Sequence, residues 1–250
     1  MITSLLEKQC VRVLQPQEKG FFSRAFLVPK KNGGYRLVID LSALNDYLAD
    51  ISFKMDTLSK VKKALRKDMW TTSLDLSDAY HHVPLQERYQ CYVCFQIGSE
   101  RYTSLVLPFG LKTAPWAFTE VVKQLKKWTI SFRIMLFQYI DDWINAHINR
   151  QRCLEVTLVL VRLCKALGLL VNEKKSELIP SQRIVFLGEI IDLTVARAFI
   201  TEERTLAIRD LIVSATQHKG LIMSAAERLV GLLVSAYPTI PLGKLMMRKL

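Results

Sequence analysis

The chain has 250 residues, of which 50% are hydrophobic, and 35 lysines and arginines against 23 aspartates and glutamates give it a formal net charge of +12. This length suits one large domain or two smaller ones with a sizeable core, and the interspersed charges exclude a disordered chain. The basic excess indicates a polyanionic partner, either nucleic acid or an acidic membrane surface.

A β-hairpin and a basic helix are predicted for the first part of the chain. SRAFLVPK and YRLVID are typical strands, and KNGG between them is a typical turn. Residues 57–67, TLSKVKKALRK, predict an amphipathic helix that turns Val61, Ala64 and Leu65 inward. TTSLDLSDAY then predicts a strand entering a turn, and YQCYVCFQI and RYTSLVLPFG predict further strands.

The second half of the chain alternates helices with short strands. Residues 114–130 predict a helix, MLFQYI a buried strand, the next two aspartates a turn, and WINA the returning strand. A helix over 150–167 ends where Gly168 is a typical C-cap residue. VNEKKSELI and IVFLGEII predict two more strands, and the chain from residue 202 onward is mostly helical. This order predicts an α+β fold rather than a doubly wound parallel sheet.

Membrane and secretory signals are not predicted. The uncharged stretch 229–243 contains Pro238 and Pro241 and is shorter than the ~20 residues that a spanning helix needs. The first ten residues, MITSLLEKQC, do not resemble a signal peptide. The five cysteines are scattered and odd in number, which indicates reduced thiols. We therefore expect an intracellular protein that uses no membrane.

One pair of cysteines has metal-ligand spacing. Cys91 and Cys94 form a CxxC, with His81 and His82 upstream, so a zinc site is one interpretation. However, CYVCF alternates like a strand, which would point the two thiols to opposite faces. There is also no second CxxC, so the sequence favours structural cysteines over zinc ligands.

Three aspartates carry the chemical signal. For the DD in QYIDDWI alone, an ordinary polar turn is the better interpretation. A further carboxylate, Asp75, lies among apolar residues in SLDLSDAY, where burial is costly unless the group is paired or binds metal. If these strands are neighbours, the carboxylates converge and repel one another, and divalent cations such as Mg²⁺ relieve the repulsion. Two such ions are the usual device for in-line phosphoryl transfer.

The motifs resemble those of reverse transcriptases, in the same order, over residues 5–250. LDLSDAY resembles the first palm motif, LPFGLKTAPWAF the second, YIDD the catalytic hairpin, GLLVNEKKSEL the next motif and VFLGEII the primer-grip region. LPFGL is closer to retrotransposon than to retroviral enzymes, which usually carry Gln where Phe109 stands. FKMDTL and LVGLLVSAYPTIPLGKLMMRKL resemble DIRS-type elements within the LTR/DIRS-like retrotransposons.

The resemblance implies a right-hand polymerase fold with fingers, palm and a partial thumb. Residues 1–200 would form fingers and palm, with the fingers mainly in 1–70 and part of 85–110. Residues 201–250 would form a helical thumb- or connection-like segment, with no ribonuclease H or integrase domain. The implied partners are an RNA or DNA template with its primer and deoxynucleoside triphosphates, and the oligomeric state stays open.

The resemblance also implies roles for the acidic residues and one lysine. Asp75, Asp141 and Asp142, with the backbone carbonyl of Leu76, would hold two Mg²⁺ ions, and Mn²⁺ would substitute in vitro. Lys175, or else the adjacent Lys174, matches the lysine proposed to protonate the leaving pyrophosphate, although a solvated surface lysine is the alternative.

Further positions would bind the incoming nucleotide. Arg36 and either Lys30 or Lys31 match the basic fingers residues, and Tyr80 matches an aromatic gate that excludes the ribose 2′-hydroxyl. Other contacts would come from the backbone amides of Asp78 and Ala79 and from the pocket residues Phe109 and Gly110. For Tyr80 and Phe109, a packed core aromatic is the alternative.

Three functions fit these motifs. The first is an active RNA-directed DNA polymerase, and the second is a nucleic-acid-binding relic of a retroelement that has lost catalysis. The third is an RNA-directed RNA polymerase, against which Tyr80 argues because a gate excludes ribonucleotides. The intact Asp75, Asp141 and Asp142 favour the first over the relic.

Overall fold

A computed structural model of the chain describes residues 1–29, 33–217, 222–236 and 239. Its helices are α1 (Ile2–Glu7), α2 (Ser42–Asn45), α3 (Leu58–Ala64), α4 (Glu87–Gln90), α5 (Ala114–Ser131), α6 (Arg150–Ala166), α7 (Glu202–Gln217) and α8 (Met223–Ala236), with a 3₁₀ turn at Ala79–His82. Its strands are β1 (Val11–Val13), β2 (Phe22–Ser23), β3 (Ala25–Pro29), β4 (Tyr35–Ile39), β5 (Trp70–Asp75), β6 (Cys94–Ile97), β7 (Glu100–Ser104), β8 (Met135–Tyr139), β9 (Asp142–His147), β10 (Glu177–Ser181), β11 (Arg183–Phe186), β12 (Glu189–Asp192) and β13 (Arg197–Ile200).

A four-stranded antiparallel sheet in the order β10-β5-β9-β8 lies at the centre and carries the predicted aspartates. Helices α5 and α6 cover one face, where Leu74, Phe118 and Trp143 belong to one buried cluster. Helix α3 and strands β11 and β12 cover the other face, where Val61 and Ile144 belong to a second cluster. Because neighbouring strand residues point to opposite faces, Trp143 and Ile144 anchor β9 from both sides.

The remaining strands form smaller sheets around this centre. One sheet has the order β1-β7-β6-β2 and packs a third buried cluster that includes Val11, Phe95 and Tyr102. Strands β11, β12 and β13 form an antiparallel sheet, and β3 pairs with β4 as the predicted hairpin. The basic part of its tip, residues 30–32, lies outside the described residues.

Several predicted elements are confirmed and others are shorter than expected. Helices α5 and α6 and strand β8 match their predictions closely, and Gly168 follows α6 with φ of +77°. The helix predicted over 57–67 ends at Ala64. The strand predicted over VNEKKSELI begins only at Glu177 and continues past that segment to Ser181. IVFLGEII forms two strands, β11 and β12, joined by a turn at Leu187 and Gly188 rather than one continuous strand.

The strand predicted over YQCYVCFQI is wrong in its first half. Helix α4 occupies Glu87–Gln90, and a turn follows in which the amide of Val93 donates to Gln90 O. Cys91 is exposed on that turn, and Cys94 is buried at the start of β6. The two thiols therefore differ in environment because a turn separates them, and not because they alternate along a strand.

Among the helices of the described residues, none is both long enough and apolar enough to cross a bilayer.

Asp56 joins three elements of the fold in a buried network. Its side chain is 3% exposed and accepts hydrogen bonds from the ammonium groups of Lys60 and Lys126 and from the amide of Gln138, which lie on α3, α5 and β8. Burial alone would raise the pKa of Asp56, but these hydrogen bonds together hold the pKa below its ordinary value. The aspartate of the FKMDTL segment is thus a structural connector.

We expect Asp56→Asn to lower the free energy of unfolding by about 3 kcal/mol, because it leaves two ammonium groups without their buried partner. Denaturant unfolding at neutral pH measures the change. Since the pKa is lowered on folding, the difference from the wild type should be full above pH ~4 and shrink below it. The control is Asp50→Asn, which removes the 93% exposed partner of Lys112 and should cost about 0–1 kcal/mol. Equal losses in the two variants would contradict the assignment.

Candidate active site

Strand pairing brings the predicted aspartates to one end of the central sheet. Asp75, the last residue of β5, lies directly opposite Asp142, the first residue of β9. Asp141 is adjacent in the β8–β9 turn, and its carbonyl accepts a hydrogen bond of 2.9 Å from the amide of Leu76. The backbone therefore brings the three aspartates and Leu76 to the same end of the sheet, as the motifs predict.

The hairpin turn itself differs from the prediction. Tyr139 pairs with Asp142, so the two turn residues are Ile140 and Asp141 rather than the two aspartates. The positive φ of +51° falls on Ile140, a β-branched residue for which this conformation is strained by roughly 1–3 kcal/mol. The fully buried Trp143 holds the turn by donating its indole N–H to Ile140 O at 2.9 Å. This bond gives Trp143 a role beyond packing.

Burial dominates the electrostatics of the acidic residues, and repulsion between neighbouring carboxylates adds to it. Burial is the largest cause that raises the pKa of Asp75, Asp141 and Asp142. For Asp142, the neighbouring Asp141 and Asp75 add to burial and bring the pKa to about 6. Lys175 opposes the shift, with its Nζ 3.8 Å from Asp75 Oδ2. A cluster this unfavourable for negative charge is suited to a cation.

The possible metal ligands at this end of the sheet are carboxylate and carbonyl oxygens. Among the residues that the structure describes, no three His, Cys, Asp or Glu side chains are gathered as a ready-made ion cluster. Asp75 and Asp141 line one cavity, and Asp75 and Asp142 line a neighbouring recess of about 270 Å³. Mg²⁺ is commonly held by one or two carboxylates together with water and substrate phosphates. The all-oxygen donor set and its raised pKa values fit that mode of binding.

A cavity of about 730 Å³ lies above the acidic residues, between the β3–β4 hairpin and the 3₁₀ turn. It brings together most of the predicted site: Arg36, Asp75, Leu76, Asp78, Ala79, Tyr80, Phe109, Asp141 and Lys175. It also includes residues that the motifs did not assign: Val28, Pro29, Ser77, Ile140 and Asn172. Lys30 and Lys31 lie outside the described residues, so their contact with a nucleotide stays a prediction.

Aromatic contacts organise another part of the cavity lining. The guanidinium carbon of Arg36 lies 4.3 Å from the centre of the Phe109 ring, a cation–π contact. The ring of Tyr80 also packs against Phe109, with its centre 5.2 Å from that of Phe109 and 6.3 Å from that of the buried Phe118. Phe109 thus links the hairpin arginine to Tyr80, which explains why an aromatic residue suits this position.

The turn after β5 has an unusual backbone. Asp78 adopts a left-handed conformation with φ of +47°, and Ala79, which is 5% exposed, starts the 3₁₀ turn. The carboxylate of Asp78 forms an ion pair of 3.5 Å with Lys8, so its side chain is not simply solvated. This conformation sets the direction of the backbone amides that the motifs assign to the triphosphate.

The loop before β10 fastens Lys175 to the sheet end. The amide of Asn172 donates to Asp75 O at 2.8 Å, and the amide of Asp75 donates to Ser176 Oγ at 3.0 Å. The Asn172 side chain also bonds the Asp75 carboxylate and counteracts part of its raised pKa. Sequence reasoning missed Asn172 and Ser176, although both flank Lys175 within the GLLVNEKKSEL motif.

Gly110 lies beside the cavity rather than in its lining. Its φ is +104°, and a Cβ at this position would meet the carbonyl oxygen of Ile39 at 2.2 Å. The Asn45 side chain donates to Gly110 O, and the amide of Ile39 donates to Phe109 O. The glycine therefore lets the Phe109 segment dock against the end of β4, and this close backbone contact is a sufficient reason for a glycine.

We expect Gly110→Ala to lower the free energy of unfolding by about 2 kcal/mol or more, since strain at positive φ adds to a backbone clash. Gly98→Ala is the matched control, because Gly98 has φ of +62° but an added methyl group there would meet nothing within 4 Å. It should cost about 1 kcal/mol. Denaturant unfolding compares the two, and equal costs would show that the Ile39 contact is unimportant.

Comparisons with known proteins give the family. The sequence signature described as reverse transcriptase (RNA-dependent DNA polymerase) matches residues 28–191, and the chain belongs to this family. The chain is 30% identical over 190 residues to a retrovirus-related Pol polyprotein from transposon opus of Drosophila melanogaster, covering 72% of this chain and 18% of that polyprotein. It is also 30% identical over 172 residues to the Gag-Pol polyprotein of Walleye dermal sarcoma virus, covering 66% of this chain and 10% of that protein.

Solved structures give the fold. A foamy viral protease-reverse transcriptase in complex with double-stranded DNA superposes with a TM-score of 0.81 at 21% identity, over 99% of this chain and 41% of that one. A second, in complex with an RNA/DNA hybrid, gives a TM-score of 0.75 over 94% of this chain and 30% of that one. The predicted α+β polymerase fold is confirmed. The chain spans less than a fifth of the two polyproteins named above.

Proposed function

We propose that the chain is an RNA-directed DNA polymerase that adds deoxynucleotides to a primer 3′-hydroxyl on an RNA or DNA template. The observation that carries the proposal is the pairing of Asp75 with Asp142, beside Asp141, under a cavity that also contains Arg36 and Lys175. Acidic donors below and basic groups beside one cavity suit a triphosphate and its metal ions. Membership of the reverse transcriptase family supports the same reaction.

The acidic end of the sheet would hold two Mg²⁺ ions through Asp75, Asp141, Asp142 and the carbonyl of Leu76. When bound, such ions neutralise phosphate charge and make the primer hydroxyl a better nucleophile, and Mn²⁺ would serve in vitro. The chain's contribution is rigid placement, since Asp75 and Asp142 lie on paired strands and Trp143 holds the turn that carries Asp141.

Basic residues and backbone amides would bind the triphosphate. Arg36, already held over Phe109, faces the cavity and offers a bidentate donor for phosphate oxygens. Lys30 or Lys31 would add a second positive charge from the hairpin tip. The amides of Asp78 and Ala79 would donate from the turn below, and Lys175 would supply the proton to the departing pyrophosphate.

The proposal extends to organisation and biology. Residues 1–200 would form fingers and palm, with the fingers mainly in 1–70 and part of 85–110. Helices α7 and α8, which contact each other, would begin a thumb over 201–250. The LPFGL and FKMDTL segments support a retrotransposon origin of the LTR/DIRS-like kind, and reduced cysteines support work inside the cell.

We expect Asp141→Asn to slow primer extension by at least roughly a thousandfold, because it removes charge at the reacting centre. The assay uses an RNA template, deoxynucleotides and Mg²⁺, and primer–template affinity should stay near the wild-type value. Glu155→Gln, a charge removal on the solvent-accessible side of α6, is the control and should extend normally.

Two outcomes of that assay would contradict the proposal. Undiminished extension by Asp141→Asn would remove this aspartate from the reaction. Binding of the primer–template by a wild-type protein that extends nothing would favour a nucleic-acid-binding relic.

We expect Tyr80→Ala to admit ribonucleotides and to lower the preference for deoxynucleotides at least roughly tenfold, because the ring would no longer block the 2′-hydroxyl. Tyr80→Phe keeps the ring and its packing on Phe109 and Phe118, so it should keep the preference. Single-nucleotide incorporation with matched ribo- and deoxynucleotides measures the ratio. Unchanged sugar selectivity in Tyr80→Ala would show that the ring is only a packing residue.

A further inference from the structure

His82, at the end of the 3₁₀ turn, bridges two loops of the site without lining the cavity. Its ring Nδ1 lies 3.1 Å from the carbonyl oxygen of Ala79, and its Nε2 lies 3.0 Å from the backbone nitrogen of Leu170. Ala79 belongs to the turn assigned to the triphosphate, and Leu170 lies in the loop that leads to Asn172 and Lys175. One side chain therefore connects the two loops that flank Asp75.

The two partners determine the state of the His82 ring. A backbone N–H can only donate, so Nε2 must be the acceptor from Leu170 and carries no proton. A carbonyl can only accept, so Nδ1 carries the proton and donates it to Ala79 O. Both bonds exist together only in the neutral, Nδ1-protonated form, because a second proton on Nε2 would face the N–H of Leu170.

Backbone contacts dock the loop that carries Leu170 beside the start of the turn. The amide of Ser77 donates to Leu170 O at 2.8 Å, and Leu76 forms a β-bridge with Val171, so the loop is docked beside β5. The turn leaves β5 immediately afterward through the left-handed Asp78. His82 reaches back from the end of this turn to the same loop, which closes the turn against it.

We propose that His82 is a positioning residue for the incoming nucleotide, whose neutral ring holds the turn of residues 78–80 against the loop that carries Asn172 and Lys175. The inference rests on the proposed polymerase function. Without the bridge, the amides of Asp78 and Ala79 and the ring of Tyr80 would lose their fixed distance from Lys175. Asp75 and Asp141 would keep their places, because strand pairing and Trp143 hold them.

The functional test compares His82→Ala with two variants that each keep one bond. Asn places an amide donor near the position of Nδ1, and Gln places an acceptor oxygen near Nε2. We expect His82→Ala to raise the nucleotide KM about tenfold, as for the loss of one or two ordinary hydrogen bonds, with kcat within about twofold. The Asn and Gln variants should each recover about half of this loss on a logarithmic scale. His147→Ala removes a histidine that bonds within its own loop and should change neither constant.

Two further measurements separate this inference from the proposed function. The Kd of the matched deoxynucleotide on a dideoxy-terminated primer–template needs no turnover, and His82→Ala should weaken it about tenfold. ¹⁵N-histidine NMR at neutral pH should show His82, identified by its loss in His82→Ala, as the neutral Nδ1-protonated tautomer. An Nε2-protonated ring, or an unchanged KM and Kd in a folded His82→Ala protein, would overturn the inference. A wild type that binds the nucleotide but never extends would refute the polymerase function and leave the His82 comparison valid.

Discussion

Asp75 and Asp142 face each other directly across antiparallel strands, and like charges in such a pair destabilise a sheet. The surrounding fold is arranged so that the pair forms nonetheless. Leu74 and Trp143 pack into one buried cluster and Ile144 into another, so hydrophobic burial on both faces fixes the same register that opposes the two carboxylates. The repulsion contributes to the raised pKa of Asp142, for which burial is the largest cause and the neighbouring Asp141 and Asp75 add to it.

The site is built from two kinds of structure, a rigid sheet end and the hairpin and loops beside it. The aspartates stand at the end of a sheet with both faces covered, whereas Arg36, Phe109 and the 3₁₀ turn come from a hairpin and loops. Side-chain contacts join these parts: Arg36 over Phe109, Phe109 against Tyr80, and Lys8 with Asp78. A polymerase needs a fixed reaction centre and a nucleotide pocket that can exchange its contents, and this division suits both.

The order of strands and helices was sufficient to predict the α+β fold class. The convergence of the aspartates was predictable because a carboxylate among apolar strand residues has few inexpensive explanations, and because the motif order resembles that of reverse transcriptases. The exact hairpin was not predictable, because turn statistics favour Asp at positive φ, whereas the Tyr139–Asp142 pairing imposes it on Ile140. The first half of YQCYVCFQI holds the end of α4 and a turn where a strand was predicted, since a short alternating pattern does not determine local hydrogen bonding.

Other parts of the site were hidden for a different reason. Asn172 and Ser176 were missed because a polar loop residue has the same appearance in the sequence whether it is solvated or bonded to a distant strand. Their partner Asp75 lies about a hundred positions earlier in the chain. Such non-local bonds can be seen only in the folded chain. The roles of Lys30 and Lys31 stay predictions, because both lie outside the described residues.

The burial of both faces of β9 also makes pairing of β9 with β5 in the wrong register unfavourable during folding. A slip of one position against β5 would turn Trp143 toward the side that Ile144 fills in the native register. Such misaligned forms would carry poorly packed cores as well as misplaced aspartates. Chains whose β9 is out of register would therefore be less stable as well as inactive. Chaperones and proteases recognise unstable chains, so they would remove these molecules whether or not they are active.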